Sequence, residues 1–353
     1  MNSKGSLHRR FGIELPIIQA PMAGVQVSAL AIAVSNAGGL GSLPCAMLGI
    51  DGMRRELAAI RAATAKPFNV NFFCHKEPAI DPAREAAWRQ KYAGYYREFG
   101  IDPNSIPQGS PRRPFDFETA EALSEFEPPV ISFHFGLPSV ELVARVRKWG
   151  ATIMSSATTV DEARWLEERG VDVVIAQGVE AGGHRGMFLS TDVSTQIGTF
   201  ALLPQIARAV KVPVVAAGGI ADASGVEAAF ALGAACVQIG TAYLLCPEAT
   251  TSAVHRAALK SAAAQTTALT NVFTGRPARG IVNRLIRELG PIAPAAPEFP
   301  LAAMALAPLR AKAEASGSSE FSQLWSGQNA TGCKEIPAAE LTRELVAGLV
   351  DAA

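Results

Sequence analysis

One run of the chain combines features that could bind a small ligand and act on it. It reads EAGGHRG over residues 180–186, so that His184 directly follows Gly182 and Gly183. Paired glycines let a ligand approach the backbone closely and leave N–H groups exposed, and an imidazole can take up or release a proton near neutral pH. His184 is therefore the candidate catalytic residue, beside a backbone cradle formed by the two glycines.

Two apolar runs carry polar residues that packing alone does not explain. NVNFF places Asn69 and Asn71 on one face of a strand, because side chains alternate along a strand. SFHFG places His134 near the end of another run. Buried amides and imidazoles need hydrogen-bond partners, so Asn71 and His134 are candidates for contact with a ligand. A purely structural role for each is the alternative.

Two further glycine motifs indicate that the ligand carries a phosphate. Gly218 and Gly219 stand in AAGGI, and Gly240 and Thr241 stand in QIGT; a short apolar run leads into each motif. Backbone amides after consecutive strands form the usual phosphate site of α/β barrels. The sequence has no Walker motif, and its first βα unit has no GxGxxG, which argues against a nucleoside triphosphate.

Eight short apolar runs lie before or across these motifs and are predicted to be strands. They cover residues 16–22, 39–44, 67–73, 129–135, 152–157, 171–177, 213–217 and 236–240. Continuous apolar runs are typical of parallel strands buried on both faces, and strands that alternate with helices pair through right-handed crossovers. We expect an α/β fold, a (β/α)8 TIM barrel. An open doubly wound sheet is the alternative, because periodicity alone does not close a sheet.

Polar residues mark where two of the intervening helices begin. Thr159 followed by Glu162 forms a T-x-x-E capping box, and Asp222 precedes an apolar helical pattern. The first helix is expected to end near Gly170 and the second near Gly233.

A long insertion follows the third predicted strand, at about residues 75–127. It contains Trp88, Tyr92, Tyr95 and Tyr96 and then a proline-rich stretch. A segment of this length is too long for a βα loop. We expect an excursion with one helix that packs over the mouth of the barrel. A surface insertion without a role in chemistry is the alternative.

The last part of the chain breaks the alternation again. From about residue 263 it contains TGRPARG, a Pro/Ala-rich run and LWSGQNA. The expected organisation is a barrel over 1–262 and a helical C-terminal extension over 263–353 that packs on it.

Composition restricts the class of protein. The 353 residues are 49% hydrophobic and carry 32 basic and 32 acidic side chains, which gives no reason to expect nucleic acid as a partner. The five cysteines show no CxxC, and no HExxH or nucleophile elbow occurs, so neither a metal site nor a hydrolase is expected. No apolar run is long enough for a membrane span. We expect a cytoplasmic protein that acts on a small molecule; an oligomer is compatible with these features.

Taken together, the motifs resemble those of the nitronate monooxygenase family, once called 2-nitropropane dioxygenases. The resemblance covers most of the chain and rests on PIIQAPMAG, NVNFF, SFHFG, EAGGHRG, AAGGI, QIGTAYL and TGRPARG. It implies non-covalently bound FMN, His184 as catalytic residue and His134 in the substrate pocket. The residues that it implies for FMN are Ala20, Pro21, Met22, Asn71, Gln177, Gly182, Gly183, Ala217, Gly218, Gly219, Gln238, Gly240 and Thr241.

The implied reaction is the oxidation of an alkyl nitronate by O2 to a carbonyl compound and nitrite. His184 would act as a general base or, when protonated, would stabilise the anionic nitronate; the sequence leaves both roles open. Propionate 3-nitronate is one candidate substrate. Residues 291–312 contain Phe299 but lack the tyrosines of some members that prefer it, so a phenol would have to come from Tyr92, Tyr95 or Tyr96.

Two other functions stay open at this point. One is an FMN-dependent reductase in the same barrel, which passes hydride from NAD(P)H to a quinone or an enoyl thioester. The other is a flavin- or phosphate-binding protein without turnover, against which the position of His184 beside two glycines argues.

Overall fold

The computed structural model describes residues 7–106, 109 and 112–350, and eight of the strands within them form one parallel sheet. In chain order the strands are β1 (Ile17–Gln19), β2 (Gly41–Pro44), β3 (Phe68–Phe73), β4 (Val130–His134), β5 (Thr152–Ala157), β6 (Val173–Gln177), β7 (Gly183–His184), β8 (Val214–Ala217), β9 (Cys236–Ile239), β10 (Thr267–Thr270) and β11 (Ala278–Ile281). The sheet runs from β2 through β3, β4, β5, β6, β8 and β9 to β1. Ile18 bridges Leu40 in parallel and so joins its two edges. The predicted (β/α)8 barrel is confirmed, and the open doubly wound sheet is wrong.

Helices separate the strands of the barrel, as parallel pairing requires. The α-helices are α1 (Leu7–Phe11), α2 (Ser28–Asn36), α3 (Ile50–Ala63), α4 (Pro82–Lys91), α5 (Ala93–Glu98), α6 (Phe117–Ser124), α7 (Val140–Arg147), α8 (Val160–Glu168), α9 (Thr199–Ala209), α10 (Ala223–Ala231), α11 (Ala253–Leu259), α12 (Arg284–Leu289), α13 (Ala303–Ala315), α14 (Ala338–Glu344) and α15 (Ala347–Val350). Both predicted N-caps are present: Thr159 accepts from the amide of Glu162 at 3.2 Å, and Asp222 accepts from that of Gly225 at 2.8 Å.

One end of the barrel is closed by apolar packing. Helix α1 buries Leu7 and Phe11 against side chains at the amino ends of the strands, among them Val130, Val173 and Cys236. Apolar burial of this kind leaves no polar surface for a ligand. A ligand must therefore bind at the opposite end, where the strands finish.

The insertion and the C-terminal segment share a second apolar core. Trp88, Tyr92 and Tyr96 are buried there with Leu309 and Phe321. The insertion contains two α-helices, α4 and α5, before α6 leads back to the barrel, so the expectation of one helix is wrong. Each of these short helices has an apolar face, and residues of the C-terminal segment cover it. The two segments therefore form one packing unit. The division of the chain at residue 262 stays a prediction.

A small antiparallel sheet ties the C-terminal segment to the EAGGHRG loop. Strand β11 pairs with β10 on one side and with β7 on the other, where Ala278 lies opposite His184 and Arg279 opposite Gly183. The loop that carries His184 is therefore held as an edge strand. No helix in the described part of the chain is long and apolar enough to cross a membrane.

Candidate active site at the carboxyl ends of the strands

A cleft opens where the strands of the barrel end. All fifteen residues that the sequence analysis selected line it: Ala20, Pro21, Met22, Asn71, His134, Gln177, Gly182, Gly183, His184, Ala217, Gly218, Gly219, Gln238, Gly240 and Thr241. The carboxyl ends of parallel strands meet at one edge, which explains why residues so far apart in sequence meet in one place. Their individual roles stay predictions.

His184 is oriented by one hydrogen bond and by aromatic rings. Its Nε2 lies 2.9 Å from the hydroxyl of Thr274. The rings of Phe299 and Trp325 lie 5.2 and 5.5 Å from the imidazole, centre to centre. Within the described part of the chain, no hydrogen bond engages Nδ1 of His184, so this nitrogen is available to a ligand.

The surroundings of His184 disfavour its charged form. Burial holds the pKa of His184 well below its ordinary value of 6.5, and the positive charges of Arg112 and Arg276, with the neighbouring imidazoles of His134 and His75, act in the same direction. The imidazole is therefore neutral at neutral pH. A neutral imidazole with an open nitrogen can accept a proton from a ligand.

The second histidine of the cleft, His134, has both ring nitrogens engaged. Its Nε2 lies 3.1 Å from the backbone carbonyl of His184, and its Nδ1 lies 3.1 Å from the hydroxyl of Ser156. A carbonyl can only accept, so Nε2 carries the proton and the hydroxyl donates to Nδ1. Burial lowers the pKa of His134 to about 3, which agrees with a neutral ring. His134 thus lines the cleft while holding the backbone of His184.

Gln177 and Arg185 hold the same loop from the barrel side. Gln177 donates to the carbonyl of His184 at 3.0 Å and accepts from the amide of Gly186 at 2.7 Å. The fully buried guanidinium of Arg185 donates to the carbonyls of Gln177 and Gly178 and to the side chain of Gln196. Arg185 therefore ties the loop to the end of β6.

A further part of the cleft wall is built from backbone. Gly218 and Gly219 have φ angles of 116° and 75°, which only glycine adopts readily, so the chain can turn there without side chains between it and the cleft. The amide of Gly327 donates to the hydroxyl of Thr241 at 2.9 Å, and Asn329 donates to the carbonyl of Gly219 at 3.2 Å. The LWSGQNA stretch thus closes the predicted phosphate site.

The charges and polar atoms of the cleft suit an anionic ligand. No aspartate or glutamate lines it within the described residues. Glu180, from the EAGGHRG loop, instead accepts bonds from the amide and hydroxyl of Thr199. The buried Oε1 of Gln238 has no partner in the described part of the chain, as expected of an atom that a ligand would satisfy. These features fit a ring compound that carries a phosphate.

The tyrosines of the insertion do not reach this cleft. Tyr92 and Tyr96 donate their phenol protons to the backbone carbonyls of Val272 and Ala305, and the hydroxyl of Tyr95 bonds a glutamate. The expectation that one of them supplies a phenol to the substrate is wrong. Their rings are part of the second core, where the hydroxyls of Tyr92 and Tyr96 satisfy backbone carbonyls.

Sequence reasoning missed several residues around His184. Thr274 and Trp325 stand in TGRPARG and LWSGQNA, motifs that were noted without assigning these side chains a role. Phe73 ends β3, and its ring lies 6.2 Å from the imidazole. Arg112 of the insertion had no signal beyond its charge, yet it lines the cleft. Their positions depend on tertiary contacts of the insertion and the C-terminal segment.

Comparison with known proteins agrees with the fold and the motifs. A family model described as nitronate monooxygenase matches residues 4–348. Nitronate monooxygenase from Pseudomonas aeruginosa is 44% identical over 340 residues, which are 96% of this chain and 97% of that protein.

Two solved structures extend the comparison. Nitroalkane oxidase from Streptomyces ansochromogenes superposes with a TM-score of 0.87 at 40% identity, over 96% of this chain and 97% of the other. FabK from Thermotoga maritima superposes with a TM-score of 0.71 at 27% identity, over 100% of this chain and 98% of the other. With the family model matched over nearly its whole length, the chain belongs to the nitronate monooxygenase family.

Proposed function

We propose that the protein oxidises alkyl nitronates with FMN and O2, giving a carbonyl compound and nitrite. The observation that carries this proposal is the position of His184: a neutral imidazole in a cleft whose described lining has no carboxylate, beside a backbone cradle suited to a phosphate. Membership of the family makes the chain an oxidoreductase, which excludes the alternative of a binding protein without turnover.

The glycine end of the cleft would hold the phosphate of FMN. The backbone at Gly218, Gly219, Gly240 and Thr241 would surround it, because all four residues line the cleft and the three glycines have no side chain. The flavin ring would lie along the end of β1, near the side-chain amides of Asn71 on β3 and Gln177 on β6. The residues that would line it are Ala20, Pro21, Met22, Asn71, Gln177 and Gly183. When bound, FMN supplies the redox chemistry, accepting electrons from the substrate and returning them to O2.

Toward a neutral nitroalkane, His184 acts in this proposal as the general base that forms the nitronate. Its Nδ1 takes the α-proton from a neutral nitroalkane, while Nε2 stays bonded to the hydroxyl of Thr274. The low pKa of His184 favours this role in the resting enzyme, since a base must be unprotonated before it acts. The alternative role, a protonated imidazole beside an anionic nitronate, requires the substrate to raise that pKa on binding.

Simple alkyl nitronates are the proposed substrates. No tyrosine lines the described part of the cleft, so the phenol donor associated with propionate 3-nitronate is missing from it. The ring of Phe73 lines the cleft and offers an apolar surface to an alkyl chain instead, and the rings of Phe135 and Phe299 lie close to His184.

The proposal is tested by anaerobic stopped-flow mixing of the FMN-loaded protein with propyl-2-nitronate and, separately, with NADH and NADPH. The flavin band near about 450 nm reports reduction. Rapid bleaching by the nitronate and not by the nucleotides is the expected result. Bleaching by NADH or NADPH alone would instead support the reductase function, for which the similarity to FabK is the favouring observation.

A further inference from the structure

One cation enters the cleft from the insertion. Arg112 is the sole lysine or arginine among the described residues that line it. Its guanidinium carbon lies 5.4 Å from the centre of the Phe299 ring, and that ring lies 5.2 Å from the ring of His184. The guanidinium and the imidazole therefore lie close to the same apolar ring.

Arg112 is charged under ordinary conditions, and the cleft around it is positive. Burial, with the nearby charge of Arg310, lowers the pKa of Arg112 to about 10, which leaves it protonated at neutral pH. The groups that act on His184 are Arg112, Arg276 and the neutral imidazoles of His134 and His75, and no carboxylate lines the described cleft. An anion is the ligand that such a site favours.

We propose that Arg112 binds the anionic nitronate group of the substrate beside His184. The inference rests on the proposed function. A nitronate carries its negative charge on two oxygens of one nitrogen, and the planar fork of a guanidinium can donate to both. A neutral nitroalkane has no net charge, so Arg112 binds it less well. The residue is thus a determinant of preference for the nitronate over the nitroalkane.

The same charge affects the acid–base behaviour of His184. A cation near an imidazole disfavours its protonation, so Arg112 helps to keep His184 in the form that accepts a proton. Removal of the charge should raise the pKa of His184. Arg276, His134 and His75 also face the imidazole and would remain, so the pKa should rise only part of the way to its ordinary value.

The test compares Arg112→Gln with a neighbouring control. Arg113 has a side chain that is 71% exposed, pairs with Asp116 and Glu118, and does not line the cleft, so Arg113→Gln removes a charge one residue away without touching the site. Arg112→Lys keeps the positive charge but removes the planar guanidinium, which can donate to both oxygens of the nitronate. Thermal unfolding of each FMN-loaded variant shows whether it is folded.

Two measurements are made on each protein: the Kd for nitrite by calorimetry, and KM for propyl-2-nitronate and for 2-nitropropane. In Arg112→Gln we expect the Kd for nitrite and the KM for the nitronate to rise about 10- to 100-fold, the range for charge-assisted hydrogen bonds. The KM for 2-nitropropane should change little, and the acid limb of its pH profile should move upward. Arg112→Lys should be intermediate and Arg113→Gln unchanged.

Other outcomes overturn the inference. A wild-type protein that binds no nitrite, or an Arg112→Gln variant that binds it as tightly as the wild type, contradicts anion binding at Arg112. Equal losses for the two substrates in a folded variant assign Arg112 a structural role. A wild-type protein that binds nitrite but does not turn over the nitronate disproves the proposed function alone, since the calorimetric series still tests Arg112.

Discussion

The Nε2–H of His134 donates a hydrogen bond of 3.1 Å to the backbone carbonyl of His184, so one histidine of the cleft fixes the main chain of the other. Gln177 donates to the same carbonyl. The candidate base is thus attached to β4 and β6 as well as to its own short strand. Catalytic groups must be held to within a fraction of an ångström, and bonds of this kind provide that precision.

Replacement of His134 tests whether it positions His184 or contacts the substrate. In His134→Ala we expect kcat to fall about tenfold or more, because small misplacements of a reacting group cost rate. KM should change little, since both ring nitrogens bond the protein. Steady-state kinetics with 2-nitropropane check this. A rise in KM with kcat preserved would instead make His134 a substrate-binding residue.

Replacement of His184 tests its role as a base. His184→Asn should lower kcat/KM for neutral 2-nitropropane by about 10²- to 10⁴-fold, the range for general base catalysis. The loss for propyl-2-nitronate should be smaller, because that substrate has already lost its α-proton. Flavin content, read from the visible spectrum, should be unchanged. Equal losses for both substrates would favour electrostatic stabilisation by His184.

The backbone at Gly183 offers a test of the cradle with a matched control. Gly183 has a φ of 71° and open space where a side chain would begin, and it lines the cleft. Gly317, after α13, has a φ of 78° and equally open surroundings but does not line the cleft. Alanine at either site should destabilise the fold by about 1–2 kcal/mol through its left-handed backbone.

Only the variant in the cleft should affect the cofactor. We expect Gly183→Ala to weaken FMN binding by about tenfold, the equivalent of ~1.4 kcal/mol, and Gly317→Ala to leave it unchanged. Fluorescence titration of the flavin-free protein measures both affinities. The same loss of affinity in the two variants would mean that backbone strain, and not the added methyl group, is responsible.

Buried histidines should make stability depend on pH. Burial lowers the pKa of His134 to about 3 and of His75 and His255 to about 4, whereas in the unfolded chain each has a pKa of about 6.5. Between pH 6.5 and 4 the unfolded state therefore binds more protons than the native state. The free energy of unfolding must fall as the pH falls through this window, by up to about 1.4 kcal/mol per pH unit for each histidine.

Urea denaturation between pH 7 and 4 measures this slope. His255→Leu should reduce it, because the variant removes one of the groups whose protonation is linked to unfolding. An unchanged slope would mean that His255 titrates alike in both states. The comparison of the two proteins isolates the contribution of His255, because their acidic side chains are the same.

The phenols of the insertion should matter for stability alone. Tyr96 donates to the carbonyl of Ala305 at 2.6 Å within the second core. Tyr96→Phe should therefore cost about 1–2 kcal/mol of unfolding free energy, since a buried acceptor loses its donor. Activity toward nitronates should be preserved. If Tyr96→Phe lost activity while its stability stayed the same, Tyr96 would instead be a residue that contacts the substrate.

The residues on the barrel strands were predictable because their geometry repeats. Apolar runs of five to seven residues identify buried parallel strands, and residues at or just after their carboxyl ends, such as Asn71 and Gly218, must then meet at one edge. The glycine at 183 and the histidine beside it followed from the same rule. Local pattern and global fold agree along this part of the chain.

The remainder of the cleft was not predictable from pattern. Thr274, Phe299 and Trp325 come from segments without strand or helix periodicity, and their approach to His184 depends on the second core. The sequence alone could not show that the hydroxyls of Tyr92, Tyr95 and Tyr96 are all bonded within the protein, away from the cleft. The insertion was expected to lie over the mouth, yet among its described residues Arg112 alone lines the cleft.

The shared core of the insertion and the C-terminal segment also sets an order for folding during synthesis. The last barrel strand is complete at Ile239, but Trp325, which closes the cleft around His184, is made roughly 5–15 s later at ordinary translation rates. Trp88 and Tyr92 lack the partners that the C-terminal segment supplies until residues 272–321 have been made. The nascent chain should therefore pass through a stage with a formed barrel, an incomplete cleft and an exposed aromatic surface. The cofactor should bind only after this stage, and the exposed aromatic surface should bind chaperones most strongly shortly before the chain is released.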